Sequence, residues 1–380
     1  MVQPFAGQIS DELKSFYELA ERFAKKELEP KALELDRYPH SEFNREALKA
    51  ADETGLLKLI LSESLGGSGQ GMAALSIILS RLAQADASFA AVIFINALAQ
   101  AAVEKWADKQ VAQKALKGEA GAASSLLAFP VYAPPADLPL EVKAAKGKDG
   151  YVLDGGCSML ALAPVADRMI IPAEINNSGK ASFFLLDKSE PGIKMSDPLL
   201  TLGLHNCPVA DITLQGVEAG PENLLGGENR AGEEFPGLSA RFGGPLAALA
   251  HGVLAGSFQA AVTFARDRYQ GGKMVIEHDQ VRVMLANMAV LVEAASAACM
   301  SASRSADLGN PPAGCFAAAA FVTDAVSRAT TDGVQCLGGY GYMHDYGQEK
   351  RMRDAKQIQA MFGPSTLKRL EFLEKRLREE

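Results

Sequence analysis

The stretch QCLGGYGY, residues 335–342, places paired glycines where a ligand phosphate could reach the backbone. Gly338 and Gly339 have no side chain, so a phosphate or ribose can come close to the chain beside a helix. The same pair is typical of two helices that cross closely and need small residues. The sequence leaves a nucleotide contact and a helix crossing as alternatives here.

A second stretch, ARDRYQGGKMVIEHDQ at residues 265–280, brings cationic donors next to another glycine pair. Arg266, Arg268 and Lys273 can donate to an anion, and Gln280 follows two helical turns later. Most such residues lie on a solvated charged face instead. We therefore keep anion binding and simple solvation as the two interpretations of this segment.

A third stretch, GQGMAAL, has the GxGxxA spacing of a dinucleotide-binding turn at Gly69, Gly71 and Ala74. That turn needs a strand directly before it and a βαβ unit around it. Both flanks have helical periodicity here, and the nearest predicted strands are far away. We predict a structural loop rather than a nicotinamide site.

A carboxylate in an apolar helix is the main candidate for acid–base chemistry. Asp86 lies in the segment AQADASFAA. Burial of a carboxylate is costly unless the group is paired or functional. Asp86 is therefore a weak candidate for a catalytic base, and a helix cap is the favoured interpretation.

Composition narrows the class of partner and the compartment. The chain has 380 residues, 48% of them hydrophobic, and a net charge of −8. An acidic chain lacks the basic footprint that nucleic acid requires. The five cysteines and five histidines are scattered without metal-ligand spacing. We expect a cytoplasmic protein with no metal site, no secretion signal and no transmembrane segment.

The elements that must position these residues follow an α–β–α order. Residues 1–120 have helical apolar periodicity, and a proline cluster then breaks the helices. Residues 121–233 alternate like strands, punctuated by Gly, Asp and Asn. Residues 234–380 return to Ala-rich helices. We predict an α+β protein of three domains with these boundaries.

Taken together, these segments resemble the acyl-CoA dehydrogenase family across nearly the whole chain. Each motif is modest alone, and the set is specific. The motifs that carry the resemblance are FAKKELEPKALELD and GLLKLILSESLGGSG near the N-terminus, DGYVLDG and GVEAGPENLLGGENRAGEEF in the middle, and ARDRYQGGK, QCLGGYGY and EKRMRDAK toward the C-terminus.

The resemblance implies an N-terminal α-helical domain, a middle β-barrel or sandwich domain and a C-terminal four-helix bundle. It also implies FAD, an acyl-CoA thioester, an electron-transfer flavoprotein as acceptor, and assembly into dimers or tetramers. In this family a glutamate removes the α-proton while a hydride passes from the β-carbon to the flavin. Such enzymes serve fatty-acid or aromatic-acid degradation.

The residues that match the family's catalytic base cannot accept a proton. The base position at the break in AMFGPST holds Gly363, and the following family threonine matches Ser365. Some members carry the base on another helix instead, directly before an arginine that matches Arg241. That position is Ala240 here. Arg241 itself remains as a substrate or CoA contact that the resemblance implies.

The positions that match flavin-ring contacts are also changed. The family's ring-contacting threonine matches Ala128, and its Trp-Ile-Thr segment matches Met159 to Ala161. Its Gly-Ser-Asp segment falls near Pro134. We expect Phe129, Tyr132 and Met159 to fill the ring pocket with apolar bulk.

The residues that the family lends to a neighbouring subunit's FAD are retained. They match Arg268, Gln335, Gly338 and Gly339, and we call these four the partner-facing residues; Gln280 also matches. The leading hypothesis is a flavin-poor subunit that completes the FAD site of an active paralogue in a heteromeric acyl-CoA dehydrogenase. The alternatives are a self-sufficient flavoenzyme with an unusual base and a non-redox acyl-CoA-binding protein.

Overall fold

The computed structural model describes residues 10–37, 42–117, 125–132, 140–309 and 311–379. Its element order is helices, then strands, then helices, which confirms the predicted α+β class. The first predicted boundary, near residue 120, lies outside the described residues, as does Pro134. The helix that opens the C-terminal region begins at Ala231, shortly before the predicted second boundary.

The N-terminal region is helical because apolar residues recur at helical spacing and short polar side chains begin the helices. Ser10, Asn44 and Asp86 each accept a hydrogen bond from a first-turn backbone N–H. The helices are α1 (Asp11–Phe23), α2 (Arg45–Glu53), α3 (Met72–Ala85), α4 (Ala87–Trp106) and α5 (Lys109–Leu116).

The middle region is one mixed sheet with strand order β6-β7-β3-β2-β4-β5-β8, in which β1 pairs with β4. Most pairs are antiparallel, and β4 pairs in parallel with β1 and with β2. The strands are β1 (Leu127–Ala128), β2 (Lys143–Lys146), β3 (Tyr151–Ala161), β4 (Arg168–Ile175), β5 (Ala181–Asp187), β6 (Ile193–Met195), β7 (Val209–Ala219) and β8 (Leu224–Leu225).

The C-terminal region is a helical bundle with one short hairpin. Its long helices have broad Ala-rich faces that allow close packing. The elements are α6 (Ala231–Arg241), α7 (Gly243–Asp267), β9 (Tyr269–Gln270), β10 (Lys273–Met274), α8 (Asp279–Asp307), α9 (Gly314–Leu337), α10 (Gln348–Ala360) and α11 (Ser365–Glu379).

Three of these helices, α4, α7 and α8, are long and apolar enough to cross a membrane by length and composition. Burial accounts for the apolar character of α4, because 94% of its most apolar stretch lies inside the protein. The corresponding stretch of α8 is only 39% buried.

Buried ion pairs tie the three regions together. Asp36, from the N-terminal region, pairs with His205 beside the sheet and with Arg353 on α10. Arg353 also pairs with Glu349, 2.5 Å away. The candidate site lies at this meeting of the three regions, so its geometry is fixed by all of them.

Candidate functional site

Six buried phenylalanines fill the centre of the molecule where the three regions meet. Each is at most 4% exposed. Neighbouring ring centroids are 5.8 to 6.5 Å apart, which is the usual range for packed aromatic pairs. This phenylalanine cluster consists of Phe94, Phe129, Phe183, Phe235, Phe242 and Phe362.

The break between α10 and α11 carries one of these rings directly into the cluster. Phe362 and Gly363 both have left-handed backbone angles, with φ of +59° and +83°. Glycine adopts this conformation without strain, whereas phenylalanine does not. The N–H of Phe362 donates to the carbonyl of Val131, 2.8 Å away, and thereby joins the break to the sheet region.

A buried lysine stabilises this break from the other side. Lys368, on α11, is 1% exposed. Its ammonium donates to the carbonyl oxygens of Gln359, at 2.9 Å, and Gly363, at 2.6 Å. Burial lowers the pKa of Lys368 to about 8. At the position where the family carries a carboxylate, this chain has a backbone carbonyl bound to a lysine.

The flavin-ring positions on the sheet are closed as well. Ala128, Phe129 and Ala161 are fully buried, and Phe129 forms a backbone bridge with Ala161. Tyr132 packs against the core with its hydroxyl buried. Aromatic and aliphatic groups therefore line the positions where the family has polar ring contacts.

The expectation that Met159 also fills this pocket is wrong. Met159 is 38% exposed. Its φ is +54°, and the pairing of β3 with β7 is irregular between Cys157 and Leu160. An irregularity of this kind turns a side chain away from the face that strict alternation predicts. The N–H of Met159 donates to Asp211 at 2.8 Å.

Asp86, the weak candidate base, caps a helix. Its carboxylate accepts from the N–H of Ser88 at 3.1 Å and from the ammonium of Lys350 at the same distance. Lys350 also pairs with Asp354 at 2.7 Å. Asp86 is 3% exposed and held in this network. The favoured interpretation, a structural cap, matches this geometry.

The second base position and the predicted CoA contact lie at the end of α6. Ala240 is 1% exposed and offers no titratable group. Arg241 is half-buried and forms no ion pair or side-chain hydrogen bond with any residue that the structure describes. Arg241 is thus a cation that remains available to an anionic ligand.

The partner-facing residues form an exposed surface at the ends of α7 and α9. Arg268 ends α7, and its guanidinium lies 5.1 Å from the centre of the Tyr340 ring, in the turn after α9. Gln335 lies in the last turn of α9 and is exposed. Gly338 has φ +57° and ψ −135°, a conformation open only to glycine. Nothing lies within 4 Å of a Cβ placed on Gly338 or Gly339.

The two remaining predicted cofactor contacts differ in their surroundings. Gln280 lies in the first turn of α8 and is exposed. Ser365 begins α11 and donates to Asp324 at 2.5 Å, together with Gln359 and Arg369. Ser365 is therefore engaged in an internal network, whereas Gln280 is open.

The GQGMAAL stretch is a helix start, as predicted. Gly71 precedes α3, and the carboxylate of Asp307 accepts from the N–H groups of Met72, at 2.5 Å, and Ala73, at 3.1 Å. An internal acid thus occupies the place where a phosphate would bind. This geometry agrees with a structural loop.

FAD can be tested against these surroundings. Four clefts of about 1040, 750, 510 and 270 Å³ lie among the described residues. None of the four is lined by Ala128, Ala161, Ala240 or Gly363. The side chains at the ring positions pack against the phenylalanine cluster. A flavin ring does not fit this chain's own site as it is packed here.

The fold and the site define a three-region helix–sheet–helix protein with a closed centre and an exposed surface at the ends of α7 and α9. The chain belongs to the acyl-CoA dehydrogenase family. Residues 10–121 match the family model for the N-terminal domain of acyl-CoA dehydrogenase, and residues 244–377 match that for the C-terminal domain. The family resemblance is confirmed.

Individual relatives cover almost the whole chain. Cyclohex-1-ene-1-carbonyl-CoA dehydrogenase of Geobacter metallireducens is 29% identical over 95% of this chain and 97% of the relative. The enzyme of the same name from Syntrophus aciditrophicus is 27% identical over 96% of this chain and 89% of the relative. The structure of butyryl-CoA dehydrogenase from Megasphaera elsdenii superimposes with a TM-score of 0.90 and 25% identity, covering 97% of this chain and 99% of that one.

Sequence reasoning missed most of the phenylalanine cluster and the lysine at the break. Phe94 is far in sequence from Phe235 and Phe242, so no local pattern joins the three. The one signal was Phe362, which lies directly before Gly363. Lys368 follows Gly363 by little more than one helical turn, and that spacing could have indicated a contact with its carbonyl.

Proposed function

We propose that this chain is the subunit without a redox site in a heteromeric acyl-CoA dehydrogenase, and that it completes the FAD site of a paralogous subunit. The paralogue supplies the base and the flavin-ring contacts. This chain supplies the partner-facing residues. Electrons leave the complex through an electron-transfer flavoprotein that docks with the active subunit.

The closure of the chain's own site carries this proposal. The hydrogen bond from Phe362 to Val131 and the packing of Phe362 against Phe94 and Phe235 occupy the centre of the site. Neither Gly363 nor Ala240 can accept a proton. A site without a base, and without room for the ring beside it, supports a role outside the α,β-dehydrogenation step.

The exposed partner-facing residues support the second half of the proposal. Arg268 is held by Tyr340 but pairs with no carboxylate among the described residues, so its donors stay free for a phosphate. Gly338 and Gly339 leave the backbone open beside it. In a chain that no longer contacts a nucleotide, an uncovered backbone at this surface would have no binding role.

The named activity of the two relatives sets the first substrate to test. Both are dehydrogenases of cyclohex-1-ene-1-carbonyl-CoA. We infer that the complex acts on an acyl-CoA thioester, and this alicyclic thioester is the first choice for an assay.

The test begins with the visible spectrum of the chain purified alone and with FAD measured after denaturation. We expect a folded protein without bound flavin. The chain is then co-expressed with its flavin-bearing paralogue from the same organism. We expect a stable complex whose FAD content matches the paralogue chain alone and whose dehydrogenase activity exceeds that of the isolated paralogue.

The variant Arg268→Ala in this chain tests the lending of residues. It should lower the FAD content and activity of the complex without dissociating it. Arg378→Ala is the matched control, because Arg378 is 80% exposed at the C-terminal end of α11. Stoichiometric FAD on the isolated chain would support a self-sufficient enzyme instead. A paralogue that is equally active alone would reject the lending role.

A further inference from the structure

The largest of the four clefts lies away from the phenylalanine cluster, between α1, α3, α7 and α10. Its volume of about 1040 Å³ is that of a small-molecule site. A second cleft of about 270 Å³ shares its floor residues Gln84 and Arg351. The two clefts together form a depression whose floor is polar and whose wall is aromatic.

Arg351 provides an uncompensated cation in this floor. Its guanidinium donates to the carbonyl of Gly347 at 3.0 Å. No carboxylate that the structure describes lies within ion-pair distance of it. Burial lowers the pKa of Arg351, which reflects the cost of a charged group without a counter-ion. Most of its five N–H donors therefore remain free.

Two neighbouring features leave this guanidinium accessible. The side-chain nitrogen of Gln84 is buried and has no hydrogen-bond partner among the described residues. A Cβ on Gly256 would lie 3.2 Å from Nε of Arg351 and 3.1 Å from the carbonyl of Gln84. The absence of a side chain on Gly256 gives the guanidinium its space. The unpartnered amide nitrogen of Gln84 and the half-buried guanidinium of Arg351, which has Gly347 as its one acceptor among the described residues, thus line the same cleft.

Aromatic rings line the wall beside Arg351. Phe264, Tyr340 and Tyr346 lie 5.1 to 6.2 Å apart between ring centroids. Tyr346 and Arg351 are linked through Gly347, whose carbonyl accepts from the guanidinium. A flat ring can pack against this wall while an attached oxyanion reaches the floor.

The acids in the cleft do not neutralise its floor. Glu21 and Glu29 both pair with Arg81, and Glu21 also pairs with Lys25 at 2.6 Å. Asp267 is exposed at the rim. The acidic side chains on α1 and after it are thus already compensated. Asp354, which lines the smaller cleft, acts on Arg351 through its charge but is itself paired with Lys350 at 2.7 Å, so Arg351 has no ion-pair partner among the described residues.

We propose that this cleft binds a small molecule that carries both an oxyanion and a flat aromatic ring, with the oxyanion on Arg351 and Gln84 and the ring against Phe264, Tyr340 and Tyr346. An aromatic carboxylate and an adenine nucleotide share this chemistry. The proposal does not rest on the proposed function, because it does not involve the FAD-ring positions and is tested on the isolated chain. The cleft is also lined by Arg268, so it adjoins the partner-facing residues.

The test is calorimetric titration of the isolated chain with benzoate, AMP and acetate. We expect benzoate, AMP or both to bind, and acetate to bind much more weakly because it lacks a ring. Arg351→Met should reduce the affinity about tenfold or more, since it removes charge-assisted hydrogen bonds of about 1.5–3 kcal/mol. Arg378→Met, at an exposed site outside the cleft, should bind like the wild type.

Arg351→Lys keeps the charge but loses the planar fork, and we expect an intermediate affinity. It also provides the test of Arg351 if Arg351→Met fails to fold. Thermal unfolding of each variant will show whether it folds. Benzoate binding without AMP binding assigns an aromatic acid, and the reverse assigns a nucleotide. Failure of the wild type to bind any probe, equal binding of acetate, or unchanged binding by both Arg351 variants would overturn the proposal.

Discussion

The phenylalanine cluster and the partner-facing residues are opposite kinds of surface in one chain. The cluster lies where the family performs its chemistry, and it is dry, aromatic and closed by the hydrogen bond from Phe362 to Val131. The partner-facing residues lie at the ends of α7 and α9, where Arg268 and two glycines remain exposed. The phenylalanine cluster contributes mainly to stability, whereas the partner-facing residues include groups that stability does not require.

If the proposed function holds, the contrast illustrates how a catalytic fold can lose its reaction without losing its architecture. Apolar side chains that fill a former site bury surface and stabilise the fold. Exposed polar groups give no such gain, so their presence calls for a different explanation. The predictions that follow measure how far the two regions differ in their contribution to stability.

The largest expected effect is in the cluster. Phe235 contacts Phe129, Phe183 and Phe362, and Phe235→Ala leaves a cavity among them. We expect a loss of about 3–5 kcal/mol in the free energy of unfolding, measured by chemical denaturation. Tyr342→Ala is the control, because Tyr342 is 80% exposed beside the partner-facing residues. Equal losses in the two variants would contradict the comparison.

The second prediction concerns Lys368 at the closed break. Burial lowers its pKa to about 8, below its ordinary 10.5, so the unfolded chain binds more protons between these values. The stability of the wild type should therefore rise with pH across this window, by roughly 1–3 kcal/mol relative to Lys368→Met. Unfolding at several pH values between about 7 and 10 measures the difference. If the free energy of unfolding changed with pH in the same way in both proteins, Lys368 would not have the lowered pKa.

The third prediction concerns His205 at the junction of the three regions. Its Nδ1 lies 2.9 Å from Asp36, and its Nε2 faces the carbonyls of Thr201, at 3.1 Å, and Leu202, at 3.2 Å. Both ring nitrogens face acceptors, which favours the doubly protonated ring, while the guanidinium of Arg353, 3.4 Å from Nε2, opposes it. Burial lowers the pKa of His205, but the hydrogen bond and charge of Asp36 outweigh burial and the opposing charge of Arg353, and the pKa is raised above 6.5.

The stabilisation from His205 is therefore complete below pH 6.5 and is lost as the pH rises through the raised value. Asp36 adds no pH dependence in this range, because its pKa is lowered to about 2 and its stabilisation, fully present here, is lost only in strong acid. His205→Gln cannot titrate, so its melting temperature should fall less than that of the wild type between about pH 6 and 9. An equal fall in melting temperature in both proteins would mean that the stabilising proton is not bound by His205.

The sequence predicted the fold well because its signals are local. Helical periodicity, strand alternation and the proline cluster each lie within one segment, and they gave the α–β–α order. The missing base could also be predicted, since Gly363 and Ala240 are single positions. The burial of Met159 was predicted wrongly because an irregularity in strand pairing, invisible in the sequence, turns that side chain outward.

Apolar filling by Phe129 was predicted, but the part of the closure that comes from the other phenylalanines of the cluster was not, because it depends on contacts between distant segments. Phe94 lies on α4 and Phe362 in the break between α10 and α11, far apart in the chain, and only their packing brings their rings 5.8 Å apart. The Asp36–His205 pair likewise joins the N-terminal region to the sheet. Residues that fill a site through contacts between distant segments show no regular periodicity or spacing in the sequence. No sequence motif therefore identifies them.

The smallest expected effect is at Arg268 in the isolated chain. Its guanidinium is exposed and contacts only the ring of Tyr340 among the described aromatic groups, an interaction worth about 0.5–1 kcal/mol at an exposed site. Arg268→Ala should therefore change the free energy of unfolding by at most about 1 kcal/mol, measured by the same denaturation as Phe235→Ala. A loss as large as that of Phe235→Ala would mean that Arg268 is retained for packing. A negligible loss, together with reduced FAD content in the complex, would mean that this surface is retained for a partner.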